Sequence, residues 1–186
     1  MPLLVFRLLF VDDIESTFTA DKLVIEDVPS PEVSGDGVKV KVKAAGLNFP
    51  DTLIIQGKYQ FQPPMPFSPG GELSGEVLEV GEKVSRFKPG DRVAALTGWG
   101  AFAEEVVAPE SNLLPIPDSM SDEKAAAFMM VYGTSYYALK QRGNLQPGET
   151  LLVLGASGGV GTATGTAPPT AFPSFPAAST CANRQA

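Results

Sequence analysis

The sequence predicts a chain of mixed α and β structure. A small β-barrel or sandwich spans about residues 35 to 117, followed by helices and one strand of parallel-sheet type. Three observations predict it. Short apolar-alternating segments separated by Gly and Pro turns run through residue 117. At Asp118 the composition switches to helix formers. Near residue 150 a continuous apolar run leads straight into clustered glycines.

Each element has its own local cause. Residues 29 to 37 (PSPEVSGDG) form a turn-rich connector. In VKVKVKAAG, residues 38 to 46, Val38, Val40 and Val42 alternate with Lys39, Lys41 and Lys43, so a half-buried strand with a solvated lysine face is expected. Residues 47 to 71 hold five prolines and three glycines and read as a long irregular segment with a short turn of helix around Asp51 to Ile55. Loops of that length are often functional. Leu73 to Val80, Arg92 to Leu96 and Phe102 to Ala108 read as strands, separated by turns at Gly81, Pro89-Gly90 and Gly98-Trp99-Gly100. Trp99 and Phe102 are expected to pack in the barrel core or its loops.

Ser121, followed by Asp122 and Glu123, suits a helix N-terminus. A second helix is expected from about Thr134 to Arg142, stopped by Gly143. Gln146-Pro147-Gly148 is a turn, and Thr150 to Leu154 is a strand buried on both faces. From Thr162 to Ala186 the chain is mostly Ala, Pro, Ser and Thr. Pro168, Pro169, Pro173 and Pro176 forbid a continuous helix, so a disordered or extended tail is expected.

Composition narrows the chemistry. The 186 residues carry 14 basic and 21 acidic side chains, a net charge of −7. Binding driven by phosphate neutralisation on nucleic acid lacks the basic excess it needs. There is no histidine and one cysteine. A thiolate–imidazole zinc site, a Ser-His-Asp triad, a Cys-His dyad and an intrachain disulfide therefore cannot be assembled. That fits a reducing compartment, and the cytoplasm is the expected location, with the mitochondrion the alternative. The opening run MPLLVFRLLFV lacks a basic n-region and a small-residue cleavage site, so it is not read as a signal peptide. No other run approaches the roughly 18 apolar residues of a spanning helix. Cys181 has no basic neighbour in sequence and is read as incidental.

The apolar run Leu151 to Leu154 enters Gly155-Ala156-Ser157-Gly158-Gly159-Val160-Gly161. A strand followed by clustered glycines opens a dinucleotide-binding βαβ unit, because the glycines let backbone N–H groups approach a pyrophosphate at a helix N-terminus. A purely structural turn has the same composition.

With that motif, the stretch from about Val38 to Gly161 resembles the medium-chain dehydrogenase/reductase superfamily, and most closely its zinc-free quinone oxidoreductase branch. The segments that carry the resemblance are AAGLNFPDTLIIQGKY, PFSPGGELSGEVLEVGEKVSRFKPGDRVAAL, GAFAEEVVAP, AAAFMMVYGTSYYAL and PGETLLVLGASGGVG, in the family's order and spacing. Residues 1 to 30 match the family's opening poorly, although KLVIEDVPSP resembles its end. The resemblance implies a GroES-like catalytic domain over residues 1 to 120. It implies the start of a Rossmann domain over 121 to 161, with NADPH in the cleft, and a non-family tail over 162 to 186. Zinc alcohol dehydrogenases carry a cysteine where this chain has Asn48 and a histidine where it has Gly71, so no metal is expected; Glu72 persists with a structural role.

The site residues follow from the same resemblance. Asn48 and Asp51, in NFPD, lie beside the place where the family's nicotinamide rests; the competing reading is loop capping. Tyr59 sits where the family places an aromatic ring near the cleft, the alternative being a packing tyrosine. Thr134 matches the threonine that reaches the carboxamide, and a helix cap is compatible with that role. Ser157, Gly158, Gly159, Val160 and Gly161 supply the pyrophosphate turn. Leu53 stands where relatives often have tyrosine, and the family's glutamine after the turn is missing near Thr166.

The expected activity is NADPH-dependent hydride transfer to a quinone or enone, with an enoyl thioester as the substrate alternative within the superfamily. After Gly161 only 25 residues remain, and a βαβ unit needs about 30. The chain thus reads as a truncated product with impaired activity. The alternative function is a catalytically inactive fragment acting as a binding module, with a homo-oligomer or a full-length relative as the protein partner. Neither a membrane nor a nucleic acid is an expected partner.

Overall fold

The computed structural model describes residues 5–10, 23–146, 149 and 151–166. The chain divides into two compact units between Ala127 and Phe128.

In the first unit, β1 (Val5–Phe10) and β2 (Val24–Pro29) form an antiparallel pair. A five-stranded antiparallel sheet then carries β3 (Gly37–Gly46), β4 (Glu72–Val80), β5 (Arg92–Leu96), β6 (Glu105–Pro109) and β7 (Leu113–Pro115). Its order is β6-β3-β4-β5-β7. The short helices α1 (Phe49–Ile54) and α2 (Asp122–Ala126) complete the unit.

The valines of β3 behave as their alternation dictates. Val38 and Val40 are fully buried and pack with Leu73, Val77, Val93, Ala95 and Leu113 in one core. Their burial is the main apolar driving force of this unit. The expected lysine face is only partly solvated. Lys41 and Lys43 are exposed, but the Lys39 side chain is 12% exposed. Its ammonium pairs with Glu79 directly opposite on β4, at 3.1 Å, and donates to Ser30 Oγ at 3.2 Å. Strand pairing puts that carboxylate within reach, and the lysine stem lies along the sheet instead of reaching into water.

The expected strand at Phe102 starts later, at Glu105. Phe102 is held instead beneath Gly70, whose φ is +95°; a Cβ there would sit 2.6 Å from the Phe102 ring. Trp99 lies on a turn, 40% exposed, with its ring 5.9 Å from that of Phe61, a loop contact.

Ser121 caps α2, accepting the Lys124 N–H at 3.4 Å, as expected of its position. Asp122 receives the Arg92 guanidinium at 2.9 Å, and the Asp122 carbonyl accepts Ser74 Oγ–H at 2.7 Å. These contacts fasten α2 across β4 and β5.

The second unit contains α3 (Met129–Tyr136), a π-helical turn over Tyr137–Arg142, and α4 (Gly159–Thr166). The helix expected from Thr134 begins five residues earlier, at Met129, because Met129, Met130 and Val131 extend it and Gly133 does not break it. The strand expected over Thr150 to Leu154 is not formed among the described residues. Leu152 makes an isolated bridge and is 61% exposed, and Leu154 is 81% exposed. A strand of that type is stable only when neighbouring strands and helices cover both faces, and the described residues supply none. Thr150 itself lies outside the described residues. Thr162 to Thr166, assigned from sequence to the extended tail, complete α4. Residues 167–186, including Cys181, lie outside the described residues.

Candidate functional site

The irregular segment between β3 and β4 is organised by α1. Asn48 takes extended backbone angles, φ −123° and ψ 158°, and is the residue before the helix. Its N–H donates to Asp51 Oδ2 at 2.7 Å, while the Asp51 N–H donates to the Asn48 carbonyl at 3.1 Å. Pro50, in the first turn, needs no N–H partner there. Asp51 therefore ties off the helix start with its carboxylate.

That arrangement leaves the Asn48 side chain for another task. Its Nδ2 donates to Glu72 Oε1 at 2.8 Å. Glu72 is 2% exposed, at the first residue of β4. Gly46 makes room for it: a Cβ at position 46 would lie 2.6 Å from Glu72 Oε1 and 2.7 Å from the Ala126 carbonyl. Because a carboxylate accepts and does not donate, it selects the amide orientation with Nδ2 toward Glu72. The Asn48 side-chain oxygen is then the amide's acceptor, on the side of the Asp51 N–H in the first turn of α1.

Asp51 is 3% exposed. Burial is the largest influence on its carboxyl and holds its pKa above the ordinary 3.8; the N–H groups of Asn48 and Gly71 pull it down by less, and the nearby Glu72 charge pushes it up. A group raised in the fold stabilises it fully below its unfolded value, and that stabilisation is lost as the pH rises through the raised folded value. Asp51→Asn removes this dependence. Urea midpoints of the wild type, taken relative to Asp51→Asn, are expected to fall as the pH rises above the ordinary value of 3.8. A difference that stays constant, or that grows with pH, rejects this assignment.

Tyr59 has a different setting. It packs against the cluster of Ile54, Ile55 and Phe67, and its ring meets Phe61 edge-on at 5.1 Å. The structure thus gathers Asn48, Asp51 and Glu72 by hydrogen bonds and leaves Tyr59 in an apolar cluster. From sequence Glu72 has a structural role, and the bond from Asn48 specifies it; because β4 also carries Glu76 and Glu79, residue type alone does not single Glu72 out.

In the second unit the glycine turn is formed. Gly155 has φ +72°, a left-handed conformation that favours glycine. The Gly158 N–H donates to the Gly155 carbonyl at 3.0 Å, and the Thr162 N–H donates to the Gly158 carbonyl at 2.8 Å. Gly161 is packed against the turn: a Cβ there would lie 2.5 Å from the Gly155 oxygen. Around Gly155 a Cβ would meet nothing within 4 Å, and at Gly158 only the Gly155 oxygen at 3.5 Å. Ser157, Gly158, Gly159 and Val160 are exposed. An open, glycine-lined surface at the start of a helix fits a pyrophosphate, which needs close approach to backbone N–H groups. Thr134 is exposed on α3, and its neighbour Ser135 is 2% exposed. Sequence reasoning passed over Ser135; one polar residue inside a helix gives little signal.

Among the described residues no three His, Cys, Asp or Glu side chains gather as ligands for a metal ion, and no helix is long and apolar enough to cross a membrane.

Residues 34–118 match the alcohol dehydrogenase GroES-like domain. The chain is 50% identical over 143 residues to the quinone oxidoreductase-like protein 2 homolog of Nematostella vectensis, covering 76% of this chain and 39% of that protein. The human synaptic vesicle membrane protein VAT-1 homolog-like structure matches with a TM-score of 0.81 at 37% identity, over 87% of this chain and 51% of that one. The quinone oxidoreductase of Thermus thermophilus, whose complex with NADPH has been solved, matches with a TM-score of 0.72 at 38% identity, over 85% and 48%. This chain spans about half the length of the solved relatives, and less of the curated one.

Proposed function

Because the chain belongs to the zinc-free quinone oxidoreductase branch of the medium-chain dehydrogenase/reductase superfamily, we propose that its residues serve NADPH-dependent reduction of a quinone or enone. The observation that carries this reading is the open glycine turn at the start of α4, in a chain whose other unit is GroES-like. Ser157, Gly158, Gly159, Val160 and Gly161 would hold the pyrophosphate, and Thr134, exposed on α3, would serve the carboxamide.

When bound, NADPH would supply the hydride, and the proton that completes the reduction would come from solvent or from Tyr59, so no side chain has to act as a strong acid or base. The work of the protein is placement. Asn48, its amide held by Glu72, is fixed in place at the head of α1. Asp51 keeps Asn48 at the head of α1 through the 2.7 Å bond to its N–H. Tyr59 offers an apolar ring and a phenol to the acceptor. The assigned setting is metal-free and cytoplasmic, and a homo-oligomer or a longer relative is the proposed protein partner.

Impairment of this chemistry is the competing expectation, and it rests on residues 151–154. Residues 151–154 form no sheet among the described residues. That observation favours the second reading, an inactive fragment that acts through binding. Titration of the purified chain with NADPH, followed by nicotinamide fluorescence, separates the two. Weak binding, without steady consumption of NADPH in the presence of a simple quinone, is expected. Saturable binding at roughly micromolar concentration, where specific cofactor contacts are worth about 8 kcal/mol, or steady turnover, rejects the impairment.

A further inference from the structure

Ser135 is buried between α3 and α4, and every partner of its hydroxyl bears on how the two helices meet. Its Oγ lies 2.8 Å from the Val131 carbonyl, one turn back on α3, and 3.1 Å from the Val160 carbonyl on α4. The one hydroxyl proton serves these two acceptors. The Thr164 hydroxyl donates to Ser135 Oγ at 3.1 Å. Val160 and Thr164 are one turn apart on α4, so a single buried oxygen holds that helix at two successive levels.

A second contact lies one turn along. Gly159 is seated against Val131, where a Cβ would come within 2.8 Å of Val131 Cγ1. Val131 and Ser135 are themselves one turn apart on α3. The two contacts are one turn apart on α3 and together run from Gly159 to Thr164 on α4, which fixes rotation and translation together. The glycine turn rests on the helix so fixed, through Gly161 against Gly155 and Ala156. Thr134, beside Ser135, remains exposed.

We propose that Ser135 is a positioning residue for the pyrophosphate turn, locking α4 against α3 so that the N–H groups of the turn are held ready for a diphosphate. The role rests on the cofactor reading given above. Ser135 need not touch the ligand; it acts through Val160, Thr164 and Gly161.

The test uses the isotope-labelled chain, titrated separately with inorganic pyrophosphate and with NADPH. The amide resonances of Gly158, Gly159 and Gly161 report binding, and amide exchange at Thr162 reports the seating of α4. Ser135→Ala removes the central hydroxyl. Thr164→Val, at a half-buried position, removes only the donor on α4 and guards against a folding defect in the first variant. Each is expected to weaken both probes roughly tenfold and to speed Thr162 exchange by a similar factor, since a buried polar group loses its partner. The double variant is expected to be no weaker than the worse single variant.

If the wild type saturates and both variants match it, the positioning role is rejected and the cofactor reading stands. Weaker binding with unchanged Thr162 exchange also rejects the role, because α4 has not moved. A wild type that responds to neither probe rejects the cofactor reading, and with it the role built upon it.

Discussion

Gly75→Ala is expected to destabilise the first unit by about 3 kcal/mol, the upper end of ordinary overpacking. Gly75 lies in β4 between Val42 on β3 and Val93 on β5. The β3–β4 register shifts between Val42 and Ala44, and the irregularity brings the two backbones together at this point. A Cβ on residue 75 would sit 2.1 Å from the Lys41 carbonyl oxygen and 2.8 Å from Val40 Cγ1. The first is a backbone atom within the ladder, so no side-chain rotation relieves the clash. Either the ladder opens locally or Val40, fully buried, leaves its place in the core. Thermal unfolding of the variant should show a Tm lower by roughly 10 °C. A Tm within about 2 °C of the wild type would mean that the sheet yields at little cost and that Gly75 is not required by the bulge.

The second large effect concerns the other unit. In Gly161→Ala the new Cβ would lie 2.5 Å from the Gly155 oxygen, 2.7 Å from Ala156 Cα and 3.0 Å from the Ala156 carbonyl carbon. All three are backbone atoms of the turn, so the turn itself must move. Its affinity for inorganic pyrophosphate and for NADPH is expected to fall by at least about tenfold, the scale of a lost set of aligned N–H contacts. Gly165→Ala is the control, since a Cβ there meets nothing within 4 Å. It is expected to leave binding unchanged and to stabilise α4 by up to about 1 kcal/mol. Equal pyrophosphate affinity in Gly161→Ala and the wild type would remove the glycine turn from the cofactor reading.

The two cases differ in how legible they are from sequence. A glycine within an apolar alternating run, such as Gly75, hints at a bulge or a close backbone approach. Which carbonyl it approaches depends on strand register, which the run itself does not state. Gly161 belongs to a motif whose local chemistry is recognisable, and the close contact there is with residues five and six positions away. Its environment is therefore nearly local.

The same distinction runs through the candidate site. Asn48 was open to two readings, a loop cap or a hydrogen-bonding group at the cofactor. The tertiary structure divides the work: Asp51 ties off α1, and the Asn48 amide turns to Glu72, twenty-four residues on in the chain. Asp51 carries an ordinary carboxyl by sequence. In the fold its burial, and to a lesser extent the charge of Glu72, which is distant in sequence, raise its pKa.

By itself the sequence determined what depends on residue type and short spacing. The valine alternation of β3, the turns at Gly81 and Pro89-Gly90, the strand Arg92–Leu96, the Ser121 cap and the glycine turn are all local consequences of side-chain shape and backbone freedom. The absence of histidine ruled out imidazole chemistry before any fold was known. Tertiary structure decided what depends on a partner distant in sequence. It paired Lys39 with Glu79, buried Asp51 and Glu72, and joined Ser135 to Thr164. It also decided against a strand at residues 151–154. An apolar run of strand length has the propensity for extended structure, but its backbone groups and side chains need neighbours on both edges and both faces, and local sequence cannot supply them.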